Sequence, residues 1–218
     1  MGPGTIGPMS QPAPPPPRTA RGEATRRSIL DTARDLFAQN GFHRTTVPAI
    51  VAGAGIGHGT FYEYFRNRRE VLLELVNEAQ ATAILSAGPA PPSLGERIRR
   101  DVEMFLAGYV ANLELSKIWV EASAFDPKVA EIRGRMRAPL VSRIRRGIEA
   151  AGAQGIDPEM AAVALAAMTE QFAYVWFVEG VGPGHEDHDV RQAALTLSAL
   201  WSRAIGVHIP STDGNGRG

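Results

Sequence analysis

The residues whose chemistry stands out lie in one segment, 45–65, with the sequence TTVPAIVAGAGIGHGTFYEYF. Its second half carries hydroxyl groups on Thr60, Tyr62 and Tyr64, and an Arg-Asn-Arg-Arg run follows at 66–69. Hydroxyl and guanidinium groups presented together on an exposed arc suit contacts with phosphates and base edges. The chemistry that this segment indicates is therefore the binding of a nucleic acid.

Two short helices must position these side chains. The apolar spacing predicts them over Val47–Gly53 and Gly57–Phe65, joined by a tight turn that contains glycine. That arrangement lets the second helix enter a DNA major groove. At 3.6 residues per turn, Phe61 and Phe65 point into a core. The outward arc of the second helix then holds Gly59, Thr60, Tyr62, Glu63 and Tyr64.

Each of these groups also has a purely structural interpretation. Tyr62 and Tyr64 are then boundary residues of an amphipathic helix, and the run 66–69 is the solvated start of the next helix. Glu63 repels phosphate, so we interpret it either as a cytosine reader that accepts from N4 or as an ion-pair partner of a neighbouring arginine.

The elements around this segment are predicted to be helices, because apolar residues recur three and four positions apart and strand-like alternation is absent. A first helix over Arg21–Gln39 ends at the left-handed stop Asn40-Gly41. A helix over Arg68–Ser86 opens with Asn67-x-x-Glu70, which resembles a capping box. A Pro- and Gly-rich loop at 88–93 follows.

A second helical region is expected beyond that loop, with Asp126, Asp157 and Asp187 at N-cap positions. Its helices are predicted over Leu94–Asn112, Leu115–Ala124, Pro127–Gly152, Pro158–Glu179 and Asp187–Gly206. The fold class is therefore all-α, with about nine helices. The predicted domains are a disordered Pro-rich tail (1–20), a three-helix domain with the helix-turn-helix (21–66), a larger helical domain (67–208) and a disordered tail (209–218).

The charge is distributed unevenly along the chain, which indicates that its two parts face different partners. The 218 residues carry no net charge, with 23 basic and 23 acidic residues and no Cys. Residues 18–70, however, hold nine arginines and five carboxylates, an excess of +4, and the remainder carries −4. The absence of Cys removes disulfides and thiolate sites. No signal layout or sufficiently long apolar run is visible, so we expect a soluble, cytoplasmic protein that does not enter a membrane.

The amino-terminal pattern resembles the TetR-type transcriptional regulators over about residues 23–75. The resemblance implies a homodimer that binds a double-stranded DNA operator and releases it when a small-molecule effector enters the carboxy-terminal domain. It rests on these residues, in order and with the family's spacing: Ile29-Leu30, Leu36-Phe37, Gly41-Phe42, Thr45-Thr46-Val47, Ile50, Ala54-Gly55-Ile56, Gly59-Thr60-Phe61-Tyr62, Tyr64-Phe65 and Leu72-Leu73.

The resemblance also implies roles for single residues. Thr46 caps the first helix of the motif and contacts phosphate, and Tyr64 and Arg68 contact phosphates. His58, Thr60 and Tyr62 read bases or the adjacent backbone. Gly57 stands where the family usually has Ser, and Val51 where Ala is usual, which puts the operator sequence in question. The complete set expected at DNA is Arg44, Thr45, Thr46, Gly57, His58, Gly59, Thr60, Tyr62, Tyr64 and Arg68, and Arg18, Arg21, Arg26 and Arg27 are expected to add phosphate contacts.

The acidic half of the chain is either an enzyme or a sensor. Its dense titratable cluster, 185–189, is either a metal site or a polar loop that leads into an N-cap, and the second interpretation is favoured. Aromatic and Met side chains on helix stripes are either ordinary core or an adaptable apolar pocket. Pro139 is expected to kink its helix. We expect the effector at Phe105, Tyr109, Trp119, Met136, Met168, Phe172 and Trp176, with Asn112, Glu121, Glu170 and Gln171 as orienting groups.

The leading hypothesis is a repressor, not an enzyme, that is released from its operator by a small apolar or amphipathic effector and needs no metal or cofactor. Small residues on the last two helices, such as Ala164 and Ala167, and large apolar ones, such as Leu200 and Trp201, permit close packing, and the family resemblance implies that they form a four-helix dimer interface. One alternative is a small-molecule enzyme with a vestigial DNA-binding module, and another is a partner-binding protein that uses the proline tail.

Overall fold

A computed structural model describes residues 19–85, 93–181 and 189–206. In these ranges the chain is helical without strands, which confirms the all-α prediction. The helices are α1 (Ala20–Arg44), α2 (Val47–Gly53), α3 (His58–Tyr64), α4 (Arg68–Leu85), α5 (Leu94–Ala111), α6 (Leu113–Phe125), α7 (Pro127–Ala151), α8 (Pro158–Phe177) and α9 (Val190–Ala204).

The chain divides into two compact units, Met1–Leu75 and Val76–Gly218, so the division falls within α4. The predicted tails (1–20 and 209–218), most of the loop 88–93 and the cluster 185–189 lie largely outside the described residues. Arg18 and Asp187 lie outside them too.

The first unit is built on a core of large apolar side chains from all four of its helices. Phe37, Phe61 and Leu72 are fully buried, and the rings of Phe37 and Phe42 lie 5.4 Å apart. Gly41 has φ 74° and ψ 162°, a non-helical conformation with positive φ that interrupts α1 where the sequence predicts its end. One further turn continues to Arg44. This core holds the inward faces of α2 and α3 in place.

Four helices of the second unit, α5, α7, α8 and α9, begin with a side-chain cap. Ser93 and Glu96 form a reciprocal capping box on α5. Asp126 caps α7 and Asp157 caps α8, as predicted. The cap of α9 is Asp189, which accepts from the Gln192 amide at 2.8 Å. The predicted start at Asp187 is therefore corrected, because α9 itself begins at Val190.

In the second unit α5 packs mainly on α9, and α7 on α8. Leu106, Ile148 and Leu197 are among the most deeply buried side chains. By length and composition alone, α8 could also cross a membrane. Its buried positions, such as Ala162 and Ala173, join the core of the unit, as expected of an internal helix. The pairing of α5 with α9 and α7 with α8 leaves space between α5 and α7.

Candidate nucleic-acid interface and effector cavity

The turn between α2 and α3 is short and held by backbone hydrogen bonds. The amide of Ala54 donates to the Ile50 carbonyl at 2.9 Å, and that of Ile56 donates to the Val51 carbonyl at 3.2 Å. Gly55 has φ 65°, a conformation that side-chain-bearing residues rarely adopt. The tight glycine turn expected from the sequence is therefore present, and it is centred on Gly55.

Helix α3 turns one face into the core and the other to solvent. Phe61 is fully buried and Phe65 is 4% exposed, whereas Tyr62 is 55% exposed. The Phe61 and Tyr62 rings meet edge to face at 5.4 Å, which holds the tyrosine out from the helix. The remaining members of the predicted arc are exposed (Gly59, Glu63) or half-buried (Thr60, Tyr64), and the preceding Gly57 and His58 are exposed too.

The start of α2 presents a second set of polar groups. The Thr46 hydroxyl oxygen accepts from the Ala49 amide at 3.3 Å, as an N-cap does, and the side chain is exposed. The preceding Arg44 is also exposed. Gly57, the N-cap residue of α3, has no side chain to cap the helix, as expected for a glycine at a position where the family usually has Ser. Arg44 and Thr46 thus lie on the surface where phosphate contacts are predicted.

Thr45 does not present its side chain to that surface. It is 2% exposed, and its hydroxyl lies 2.9 Å from the Gly41 carbonyl and 3.1 Å from the Leu36 carbonyl. Both carbonyls lie near the interrupted end of α1. The prediction of a DNA contact through this side chain is corrected, because the hydroxyl is used to close α1.

Arg68 is tied to the protein rather than extended from it. Its Nη1 donates to the His43 carbonyl at 2.9 Å and to the Thr45 carbonyl, and its guanidinium lies 4.6 Å from the centre of the Phe42 ring. The chain from α1 to α2 is held in place by these contacts. Arg68 thus anchors the segment that ends in Thr46, and its phosphate contact stays a prediction.

Two other charged residues of the first unit, Arg26 and Glu63, differ in their contacts. Arg26 pairs with Glu74 at 2.5 Å and lies 5.7 Å from the Phe65 ring, so it supports the core instead of standing free for phosphate. Glu63 is exposed and makes no ion pair within the described part of the chain. The interpretation of Glu63 as a cytosine reader stays a prediction.

The second unit contains a cavity of about 320 Å³ enclosed by α5, α7, α8 and α9. Its wall is mostly apolar, and its deepest side chains, such as Ile148 and Trp201, are buried in the core. Pro139 lies inside α7 without ending it, and the cavity wall on that helix begins at the next residue. The lining residues are Leu94, Arg97, Ile98, Asp101, Val102, Phe105, Leu140, Arg143, Ile144, Gly147, Ile148, Leu165, Ala166, Thr169, Glu170, Trp201 and Ile205.

Of the seven side chains predicted to bind an effector, Phe105 alone lines this cavity. Met168, Phe172 and Trp176 pack against the core cluster instead, and the last two rings stack at 5.6 Å. Trp119 and Met136 are half-buried elsewhere on α6 and α7. The predicted set is corrected accordingly, because an apolar stripe shows that a side chain is buried but not whether it meets a neighbour or a cavity.

Tyr109 is the remaining member of the predicted set, and it packs between Phe105 and Phe177, with ring centres 6.0 and 6.5 Å away. Its hydroxyl is buried without a hydrogen-bond partner among the described residues. Burial raises the pKa of this phenol to about 12. Tyr109 is thus a core residue behind the cavity wall.

The polar groups of the cavity wall were largely missed by sequence reasoning. Glu170 was expected as an orienting group and does line the cavity, whereas Arg97, Asp101 and Arg143 were not singled out. The available signal was a repeat of charged residues on α5, at 97 and 101, that interrupts an otherwise apolar face. Among the described residues, no cluster of three or more His, Asp and Glu is placed to hold a metal ion.

The first unit thus contains a helix-turn-helix with an exposed polar arc, and the second is a helical unit with a cavity. Comparison with known proteins agrees. The family model described as "Bacterial regulatory proteins, tetR family" matches residues 29–75. The HTH-type transcriptional regulator EthR of Mycolicibacterium smegmatis is 26% identical over 204 residues, which cover 86% of this chain and 90% of EthR.

Solved structures show the same fold. A TetR-family regulator from Syntrophomonas wolfei superposes with a TM-score of 0.68 at 20% identity and covers 87% of this chain and 99% of its own. The structure titled "SmeT-Triclosan complex" superposes with a TM-score of 0.65 at 24% identity, over 89% and 99% of the two chains. Residues 29–75 thus match the TetR family, and the chain as a whole resembles TetR-type transcriptional regulators in its fold.

Proposed function

We propose that this regulator is a homodimeric repressor that binds operator DNA through α2 and α3 and leaves it when an apolar or amphipathic effector enters the cavity. In this proposal residues 21–66 form the DNA-binding domain and 67–208 the effector and dimer domain. The protein works in the cytoplasm, where its DNA lies, and carries out no catalysis. The observation that carries the proposal is the open polar arc of α3, anchored from behind by Phe61 and Phe65.

The proposed interface consists of groups that are exposed and suited to phosphate or base edges. At the start of α2, Arg44 and Thr46 face the DNA phosphate backbone. On α3, His58, Thr60 and Tyr62 face the major groove. Tyr64 supplies a hydroxyl at the end of α3. A Cβ built on Gly59 meets nothing within 4 Å, so the surface there is open and lets a DNA strand approach the helix closely.

The proposed dimer interface consists of exposed apolar side chains on α8 and α9. Met160 is 74% exposed, Val163 is 49% exposed and Leu200 is 47% exposed. Ala164 and Ala167, one and two turns further along α8, are exposed as well, and small residues permit close helix packing. Trp201, named with this interface from the sequence, is 8% exposed in the core of the unit and is not among these side chains.

Release by an effector follows from differential binding. A ligand that prefers the conformer with weaker DNA affinity lowers operator affinity by the ratio of its own affinities for the two conformers. The cavity of about 320 Å³ is of the size that small-molecule sites occupy. The complex of SmeT with triclosan illustrates that this fold can hold an aromatic small molecule.

A substitution at Gly59 tests the proposal. Gly59→Ala adds a methyl group that the protein itself accommodates, so the free energy of unfolding should rise by about 0.5–1 kcal/mol, the usual gain in a helix. On a duplex selected from a random-sequence pool by the parent protein, its affinity should fall at least about tenfold, because the methyl group occupies the space of the DNA strand.

Gly134→Ala is the matched control. Gly134 also lies within a helix, α7, and a Cβ there also meets nothing within 4 Å. This variant should gain similar stability and bind the selected duplex like the parent. Unchanged affinity in Gly59→Ala would show that α3 does not contact DNA, and a parent protein that selects no sequence at all would overturn the proposal as a whole.

A further inference from the structure

The charged groups in the cavity wall favour one sign of ligand charge over the other. Two carboxylates line the cavity, Asp101 on α5 and Glu170 on α8. Each is already engaged by two arginines. Whether the cavity favours a cationic or an anionic ligand therefore depends on how far the arginines compensate the charges of these carboxylates.

Asp101 uses both of its oxygens. One lies 3.3 Å from a guanidinium nitrogen of Arg100, and the other lies 3.3 Å from a guanidinium nitrogen of Arg143. The Asp101 side chain is 33% exposed and that of Arg143 is 59% exposed, so this group marks the solvent side of the cavity. Of the two arginines that pair with Asp101, Arg143 lines the cavity.

Glu170 is used in the same way. Its Oε2 accepts from Arg133 at 2.9 Å, and its Oε1 accepts from Nε of Arg137 at 2.8 Å, with a second contact from the Arg137 guanidinium to Oε2. The carboxylate is only 18% exposed. Because Glu170 accepts charge-assisted hydrogen bonds from two guanidinium groups, its negative charge is already compensated. The group formed by Arg133, Arg137 and Glu170 carries a formal charge of +1.

We infer that the cavity selects amphipathic anions, with an apolar body against Phe105 and Trp201 and a carboxylate or phosphate head group beside Arg143. This inference names the effector class and rests on the proposed function of the cavity. A cation would meet an excess of guanidinium groups in a partly desolvated site, where like charges repel more strongly than in water. An anion would share Arg143 with Asp101, and its preference should weaken as salt rises, because Arg143 is exposed to solvent.

The test uses ligands that share one body and differ in the head group: 4-phenylbutanoate, 4-phenylbutyl phosphate, 4-phenylbutan-1-ol and 4-phenylbutylamine. Calorimetric titration of the full chain without DNA should give at least one anion a dissociation constant about tenfold or more below that of the alcohol, and the amine should bind most weakly. The two anions distinguish a carboxylate from a phosphate preference. Equal affinities, tightest binding of the amine, or no binding of any compound at millimolar concentration would overturn the inference.

Arg143→Gln supplies the second arm. It should bring the affinity for the favoured anion to within about threefold of that for the alcohol and leave the alcohol's affinity unchanged. Arg145→Gln is the control, because Arg145 lies on the same helix but pairs with Glu149 and Glu159 outside the cavity wall. An anion preference that survives in Arg143→Gln would contradict the assignment. Anion binding that follows the expected order without releasing the selected duplex would refute effector release and leave the charge selectivity standing.

Discussion

Arg68 offers the sharpest test of how the DNA-binding unit is held together. Family resemblance implies a phosphate contact for it, whereas the structure uses its guanidinium on the carbonyls of His43 and Thr45 and over the ring of Phe42. Arg68→Met keeps most of the apolar stem and removes the charge. The two roles then predict different results in stability and in the salt dependence of DNA binding.

The expected loss of stability is about 2–3 kcal/mol. The part-buried hydrogen bond to the Thr45 carbonyl contributes about 1.5–2 kcal/mol, the lower end of the range for a charged donor, and the exposed bond to the His43 carbonyl adds little. The guanidinium over the Phe42 ring adds about 0.5–1 kcal/mol. Urea denaturation followed by circular dichroism measures this difference, with the unfolding slope as a check that the unfolded state is unchanged.

The salt dependence of operator affinity separates the two roles. Each phosphate contact contributes about 0.9 to the slope of log affinity against log salt, so loss of one contact per subunit lowers the slope of a dimer by about 2. We expect Arg68→Met, measured where it remains folded, to leave this slope nearly unchanged. Arg44→Met is the control: Arg44 is exposed, so its loss should lower the slope by about 2 without loss of stability.

The reasoning fails if Arg68→Met is as stable as the parent within about 0.5 kcal/mol, the size of an ordinary surface substitution, and lowers the salt slope by about 2. That pair of results would return Arg68 to the phosphate role. A large loss of stability with an unchanged slope supports the anchor.

Three further predictions concern packing, titration and assembly. Gly53→Ala places a methyl group 2.7 Å from Cγ2 of Thr32, so it should cost about 1–3 kcal/mol in urea denaturation, and adding Thr32→Ser should recover most of that loss; an equal cost in both backgrounds would contradict the contact. Tyr109→Phe removes a buried hydroxyl without a partner, so stability at pH 7 should stay within about 1 kcal/mol of the parent. Because folding raises the pKa of this phenol from 10.0 to about 12, the unfolded chain loses the proton first, and the parent should lose stability more steeply than Tyr109→Phe from pH 10 to pH 12; parallel urea midpoints over that range would refute this. Val163→Asp places a charge among the exposed apolar side chains of α8, so sedimentation should show monomers with unchanged helix content, and a dimer of parental affinity would exclude these side chains as the interface.

Local sequence rules predicted those parts of the fold that depend on a few neighbouring residues. The inward and outward faces of α3 follow from helical spacing, so the burial of Phe61 and the exposure of Tyr62 were predictable. Asp126 and Asp157 cap helices because a short carboxylate next to the first turn has free backbone amides within reach. The positive φ of Gly41 and Gly55 likewise appears where glycine punctuates the pattern.

Tertiary structure alone decided which polar groups are consumed by the protein and where it leaves a cavity. The side chains of Thr45 and Arg68 could contact DNA, but in the structure they donate hydrogen bonds to backbone carbonyls at and just after the end of α1. The aromatic stripes named candidates for a pocket, yet only Phe105 lines it, since the space arises from how α5 and α9 pair against α7 and α8. By itself the sequence determined that these helices form and that α3 faces outward; the use of each side chain depended on partners distant in sequence, whose positions no local spacing encodes.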